Sequence, residues 1–133
     1  MTAASPSPRP QEISIEPFAG TVTARFSDAI IASSERARVL YEPGHDPVFY
    51  IPFDDIYFDL FAKSNTVSRC PIKGMASYWN VSAVGDGAKD AMWAYETPNP
   101  VAVGIARHGA FDERVVRIEA TPMPDALHDP TTP

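Results

Sequence analysis

The residues best suited to chemistry in this chain begin with its single cysteine. Cys70 is followed three positions later by Lys73, with Pro71 between them. A neighbouring cation, or the N–H groups of a tight turn, can activate a thiol as a nucleophile. A buried, inert cysteine that packs where a strand begins is the competing interpretation, and it is the commoner one. The spacing leaves both interpretations open.

Lys73 is one of only three lysines in the chain, and it is followed by Gly74. A loop lysine beside a glycine can hold an anionic group of a ligand as a point charge. The alternative is a solvated loop lysine without a ligand. The chain has no glycine-rich phosphate loop and no Gly-Ser doublet followed by paired aspartates, so nothing here is typical of a nucleotide site.

Aromatic residues give the strongest indication of a site. Five of them lie in segments that should pair or adjoin: Tyr50, Tyr78, Trp79, Trp93 and Tyr95. Neighbours in a strand face opposite ways, so Tyr78 and Trp79 cannot both enter the same core. Cross-strand aromatic pairs that stabilise a sheet would explain the set structurally. A flat apolar wall for a small ligand, with tyrosine hydroxyls that orient it, would explain it functionally.

Acid–base groups are fewer. Asp55 and Asp59 share a face whether their segment is a strand or a helical turn, and such carboxylates can bind a cation or transfer protons. A solvated face is the commoner role. His45, in Pro-Gly-His-Asp-Pro, is typical of a turn residue, with a general base as the alternative. One thiol and scattered histidines cannot close a tetrahedral zinc site, so we predict no metal and no cofactor.

The elements that must position these residues show a period of two. Val22, Ala24 and Phe26 alternate with polar neighbours, as half-buried antiparallel strands do. Residues 75–84 and 91–96 are predicted to form a hairpin around the turn 85–87. Residues 101–107 are the clearest candidate for a short helix. The sequence therefore predicts a mainly β domain with at most one or two short helices.

The 133 residues fit one domain with a modest core. Residues 1–12 are rich in serine, proline and alanine, and we expect them to be a disordered tail. Residues 121–133 are predicted to be a second, proline-rich tail, and residues 13–120 a single β-rich domain. The net charge of −6 argues against nucleic acid and anionic membranes as partners. The chain shows no signal-peptide core and no apolar run long enough to span a membrane, so a cytoplasmic location is expected.

Several segments resemble, in order, those of domain-of-unknown-function family 427, which is sometimes labelled nucleotidyltransferase-like. The resemblance covers about residues 20–120, and its most specific part runs from Cys-Pro-Ile-Lys-Gly to Tyr-Trp. Its segments are 39–40, 48–52, 70–74, 76–79, 93–95 and 110–111. It implies a compact domain of several coiled antiparallel sheets, similar to the Mss4-like group. It implies no settled biochemical role.

These observations favour a small-molecule-binding domain with an aromatic pocket beside the loop of Cys70 and Lys73. The ligand-binding residues would be Tyr50, Lys73, Tyr78, Trp79, Trp93 and Tyr95. The alternative is a small cytosolic enzyme that uses Cys70 or a tyrosine hydroxyl, with His45 or Asp59 as acid or base. Small β domains also serve as interaction modules, and pairing of edge strands would give a homodimer.

Overall fold

The computed structural model describes residues 12–124, which form two antiparallel β-sheets. The strands are β1 (Ser14–Pro17), β2 (Gly20–Phe26), β3 (Ala29–Ser34), β4 (Arg38–Tyr41), β5 (Val48–Pro52), β6 (Phe61–Cys70), β7 (Gly74–Ala83), β8 (Asp86–Ala94), β9 (His108–Phe111) and β10 (Arg117–Pro122). Seven strands form one sheet in the order β1-β4-β5-β9-β8-β7-β6, and three form the other in the order β10-β2-β3. The mainly β prediction is confirmed.

Helical structure is confined to three short 3-10 helices at Phe53–Asp55, Phe58–Leu60 and Pro100–Ile105 within the described residues. This is one more than the upper figure expected from the sequence. The third lies in the segment for which a short helix was predicted, and Pro100 at its first position fixes a helical φ angle. The first two turn the chain from β5 into β6. The segment that carries Asp55 and Asp59 is therefore a pair of helical turns and not a strand.

The β7–β8 hairpin was predicted, but its turn lies one residue earlier than expected. Val84 and Gly85 form a two-residue turn, and both have positive φ, 47° and 77°. Such a turn matches the right-handed twist of the flanking strands. As a result β8 begins at Asp86 rather than at residue 91.

Two core clusters lie on opposite faces of the seven-stranded sheet. The first cluster joins this sheet to the three-stranded one and includes Val22, Ile31 and Met92. The second cluster includes Tyr50 and Ile105 and is partly covered by the 3-10 helix Pro100–Ile105. From Met92 to Ala94, consecutive residues of β8 alternate between the two faces, as the period of two in the sequence indicates, whereas Ala91 and Met92 both belong to the first cluster.

The last strand, β10, extends past the expected domain boundary. Its Thr121 lies opposite Thr21 and its Pro122 opposite Gly20, two residues beyond position 120. β10 is an edge strand, where a proline costs no ladder hydrogen bond. The remaining parts of the predicted tails, residues 1–11 and 125–133, lie outside the described residues. Among residues 12–124, no helix has the length and apolar character needed to cross a membrane.

Candidate functional site

An aromatic row crosses the face of the seven-stranded sheet that carries the second core cluster. We define it as Tyr50 on β5, Trp93 on β8 and Tyr78 on β7. Trp93 lies opposite Tyr78 on one side and opposite Ala110 of β9 on the other. The adjacent pair Ile51 and Gly109 places Tyr50 beside Ala110. Because Ala110 contributes only a methyl group, the side chains of Trp93 and Tyr50 meet over it, and Ala110 is fully buried.

A cleft of about 1010 Å³ opens along this row. Six of the residues singled out from the sequence line it: His45, Tyr50, Lys73, Tyr78, Trp93 and Tyr95. The other walls come from the β4–β5 loop, the middle of β8 and the chain that follows β9. Six strands, β4 to β9, and the segments that connect them thus meet at one cleft.

Trp79 lies on the opposite face of the sheet, away from the cleft. It is 6% exposed and belongs to the first core cluster. Its ring centroid lies 5.9 Å from that of Phe53 and 6.1 Å from that of Phe58, in edge-on geometry. The alternation along β7 separates Tyr78 from Trp79 as predicted, and the three-stranded sheet covers the Trp79 side.

The other two predicted residues also lie outside the cleft lining. Asp59 is exposed on the 3-10 helix Phe58–Leu60. Cys70 ends β6, is partly buried and packs against the second core cluster. It occupies the turn that carries Lys73 into the cleft. The structure therefore brings together His45, Tyr50, Lys73, Tyr78, Trp93 and Tyr95, and it places Trp79, Cys70 and Asp59 outside the cleft lining.

The aromatic row and Tyr95 differ from the aromatic residues on the other face of the sheet in their ring-to-ring contacts. Six close ring pairs occur among the described residues, and all of them involve Trp79 or phenylalanines. Neither the aromatic row nor Tyr95 contributes a ring to any of these pairs. Ring-to-ring stabilisation therefore accounts for the aromatic residues of the first cluster and leaves Tyr50, Tyr78, Trp93 and Tyr95 without that explanation.

Hydroxyl groups in the cleft are held by specific partners. Trp93 Nε1 donates a hydrogen bond of 3.3 Å to the Tyr50 hydroxyl, and the Tyr78 hydroxyl lies 2.9 Å from Ser68 Oγ. Burial raises the pKa of Tyr50 well above its usual range, against the opposing effect of the Trp93 hydrogen bond. Burial also raises the pKa of Tyr95, reinforced by Cys70. Both phenols therefore stay protonated at neutral pH.

Lys73 forms a largely buried ion pair with Glu42. Its Nζ lies 3.0 Å from Glu42 Oε1, and the two side chains are 11% and 18% exposed. Nζ also lies 5.9 Å from the Tyr95 ring centroid. Burial lowers the pKa of Lys73, but the hydrogen bond to Glu42 and nearby negative groups more than offset this, so the net shift is upward. Lys73 is charged, and Glu42 balances that charge.

Asn99 fixes the turn between Cys70 and Gly74. Its backbone N–H donates to the Lys73 carbonyl at 2.9 Å, and its Nδ2 donates to the Ile72 carbonyl at 3.0 Å. Inside the turn, the Lys73 N–H donates to Cys70 Sγ at 3.4 Å. Gly74 has a φ of 115°, and a Cβ there would lie 3.3 Å from the Asn99 nitrogen. This turn therefore requires glycine and aims Lys73 at the cleft.

Asp90 is a cleft residue that the sequence did not single out. It has a positive φ of 52°, which is uncommon for a residue with a side chain. Its carboxylate accepts hydrogen bonds from Ser64 Oγ at 2.6 Å and Thr66 Oγ1 at 2.7 Å. These two bonds lower its pKa, so it is ionised at neutral pH. Strained residues of this kind cluster at functional sites.

Irregular strand pairing produces the positive φ of Asp90. The register shifts between Lys63 and Val67 on β6 and between Trp79 and Val81 on β7. Asn80, at the second irregularity, uses its Oδ1 to accept the Asp90 N–H at 2.9 Å. Bulges are frequent beside sites because they redirect a side chain. No local pattern in the sequence indicates them.

The fold and the cleft define a class of protein: an antiparallel β domain with an aromatic-lined cleft on the face of its larger sheet. Across residues 12–124, no group of three or more histidine, cysteine, aspartate or glutamate side chains is arranged to hold a metal ion. The sequence model of the family described as "Domain of unknown function (DUF427)" matches residues 14–121. The chain belongs to this family. A comparison with curated proteins finds no match.

Proposed function

We propose that this protein is a small-molecule-binding domain whose ligand occupies the cleft over the aromatic row. One observation carries the proposal: Tyr50, Tyr78, Trp93 and Tyr95 converge from separate segments on one cleft, and none of them pairs its ring with another ring in the described chain. Ligand clefts are typically apolar and aromatic, with a few fixed polar groups, and reach about 1,000 Å³.

The polar groups of the cleft support the same proposal. The Lys73–Glu42 pair, the Tyr78 hydroxyl and Asp90 each have a fixed orientation, since each is held by a partner within the protein. Groups that are already oriented lose little entropy when a ligand binds. They are suited to set the orientation of a ligand that the rings hold by contact.

A thermal-shift screen of a small-molecule library tests the proposal. We expect at least one compound to raise Tm in the native chain and in Tyr57→Leu, since Tyr57 is 50% exposed and lies outside the cleft. A ligand at a hundred times its Kd stabilises by about 2.7 kcal/mol, which corresponds to a shift of roughly 10 °C or more in a domain of this size. The shift should be lost in Trp93→Leu.

Two results would count against the proposal. The first is a library in which no compound shifts Tm. The second is a compound that stabilises Trp93→Leu as much as the native chain, because such a compound would bind away from the aromatic row.

The enzymatic alternative has less support from the geometry. Asp59 lies outside the cleft, and Tyr50 and Tyr95 hold their protons at neutral pH because burial raises the pKa of each. Cys70 and His45 remain its candidate groups. If an activity is found, an unchanged rate in Cys70→Ala would remove the thiol version.

Self-association and a cytoplasmic location also stay proposals. β6 forms one edge of the larger sheet, and its Val67 is 61% exposed. Exposed edges of this kind can pair with a second copy. Sedimentation tests pairing at this edge: the native chain should be a dimer, and a Val67→Lys variant should be a monomer. If both are monomers, the proposed pairing is wrong.

A further inference from the structure

The charges around the cleft are mostly negative. Five acidic and three basic side chains line it: Glu42, Asp46, Asp90, Asp112 and Glu113, against Lys73, Lys89 and Arg114. Two of the basic groups are already in ion pairs, Lys73 with Glu42 at 3.0 Å and Arg114 with Asp112 at 2.9 Å. The charges left over are three carboxylates and the single ammonium group of Lys89. A cleft of this charge disfavours a polyanion such as a nucleotide.

Asp90 is the best-positioned of these carboxylates. Two hydroxyl groups fix it, and a carboxylate that accepts two hydrogen bonds retains lone pairs for further donors. It lies three residues before Trp93 on β8, and both side chains reach the cleft. A ligand that stacks on Trp93 can therefore present a donor to Asp90.

The ring faces of the aromatic row also suit a positive charge. Three contacts between a cation and a ring occur in the described chain, and Lys73 over Tyr95 is the only one at the cleft. The rings of Tyr78 and Trp93 have no such contact there. Indole and phenol faces attract ammonium groups through their negative quadrupole, most strongly where water is excluded.

We infer that the ligand is an organic cation, an amine or quaternary ammonium compound with a flat apolar part. Its charged nitrogen binds near Asp90 and the faces of Trp93 and Tyr78, and its apolar part occupies the rest of the cleft. This inference rests on the proposed function and narrows the class of ligand.

Three probes of equal ring size test the inference: 2-phenylethylamine, 2-phenylethanol and phenylacetate. Binding to the native chain is followed through the indole N–H peak of Trp93 and neighbouring amide peaks in NMR titrations. We expect the amine to bind at least about fivefold more tightly than the alcohol, and phenylacetate to bind most weakly. Equal or tighter binding of the alcohol or the acid would overturn the cation inference and leave the proposed function intact. No change at any cleft residue with all three probes would count against both.

Asp90→Asn provides the matched variant. Asparagine tolerates a positive φ and can still accept a hydrogen bond from Ser64 or Thr66, so the change removes mainly the charge. We expect the amine to bind about three- to tenfold more weakly and the alcohol to bind unchanged. Asp59→Asn removes the same charge outside the cleft and should leave both affinities unchanged. An equal loss in Asp59→Asn would reveal a bulk charge effect and overturn the inference.

Discussion

The indole nitrogen of Trp93 donates a hydrogen bond of 3.3 Å to the hydroxyl of Tyr50, across the intervening strand β9. The two residues lie on β8 and β5, and Ala110 of β9 lies between their strands. The bond reaches over the Ala110 methyl group and fixes the plane of the indole ring. Trp93 therefore has a fixed orientation within the protein.

We predict that Trp93 and Tyr50 are energetically coupled. Tyr50→Phe removes the acceptor and Trp93→Phe removes the donor, so either change alone loses the hydrogen bond. The two changes together should cost less than the sum of the single changes, by about 0.5–1.5 kcal/mol. Urea unfolding of the four proteins measures the coupling. Tyr41→Phe with Trp93→Phe, a pair in which Tyr41 is 44% exposed, should be additive. Additive effects for Tyr50 and Trp93 would contradict the bond.

A second prediction concerns the Lys73–Glu42 pair. Glu42→Gln keeps the shape of the side chain but leaves the Lys73 ammonium group buried without a counter-charge. We expect a loss of about 1–3 kcal/mol in the free energy of unfolding. Glu96→Gln is the control, since Glu96 pairs with Lys63 at 2.9 Å with side chains 34% and 52% exposed, and it should cost less than about 1 kcal/mol. Similar losses in both variants would mean that burial of the Lys73 pair has no energetic consequence.

Alkaline pH should weaken the fold through Tyr50. Burial raises the pKa of Tyr50 above its ordinary value of 10.0, so the unfolded chain loses this proton before the folded chain does. When the folded pKa of a phenol is raised, its contribution to the free energy of unfolding is complete at pH values below the unfolded pKa. This contribution is lost as the pH rises above the unfolded pKa. The loss attributable to one such phenol approaches about 1.4 kcal/mol per pH unit.

Tyr95 and Lys73 add losses of the same sign above their ordinary pKa values of 10.0 and 10.5, since the folded pKa of each is also raised. Urea unfolding between about pH 9 and 11 measures the combined effect. Tyr50→Phe should show a shallower fall in stability than the native chain, and Tyr41→Phe should fall as steeply as the native chain. An unchanged slope in Tyr50→Phe would show that its phenol ionises without unfolding.

Asp90 offers a test of backbone strain. A β-carbon at positive φ costs about 1–2 kcal/mol, and glycine avoids this cost. Asp90→Gly should therefore be more stable than Asp90→Ala by about 1 kcal/mol. The neighbouring Lys89 has no positive φ, and there the order should reverse, because glycine weakens an ordinary strand position. Thermal unfolding of the four variants is sufficient, and the same order at both positions would exclude a strained Asp90.

The fold class and the aromatic wall of the cleft can be predicted from the sequence because both follow from a period of two. Alternation assigns Trp93 and Tyr95 to one face of the predicted strand 91–96 and Met92 to the other, and it separates Tyr78 from Trp79. It cannot say which face the second sheet will cover, since that depends on contacts between distant segments. For this reason the sequence pattern alone places Trp79 with the ligand-binding residues, although it lies in the first core cluster.

Three other features of the structure have no local signal in the sequence that could predict them. β6 is an edge strand with mostly exposed polar residues, so it lacks the alternation of a half-buried strand. Glu42 meets Lys73 only because the β4–β5 loop and the β6–β7 turn meet at the same side of the sheet. Asp90 depends on irregular pairing in two neighbouring hairpins. Each feature arises from tertiary structure, which outweighs local preference.

The last prediction concerns the two tryptophans, which lie on the paired strands β7 and β8 but on opposite faces of the sheet. Trp79 packs in the first core cluster, and Trp93 lines the cleft. Trp79→Leu leaves a cavity among Phe53 and Phe58 and should cost about 2–4 kcal/mol, while the affinity for a cleft ligand stays unchanged. Trp93→Leu removes a half-buried ring and one hydrogen bond, so it should cost less than Trp79→Leu but abolish binding. Urea unfolding and titration with 2-phenylethylamine measure the two effects. If Trp93→Leu instead causes the larger loss of stability and leaves binding intact, the aromatic row is part of the core and forms no ligand site.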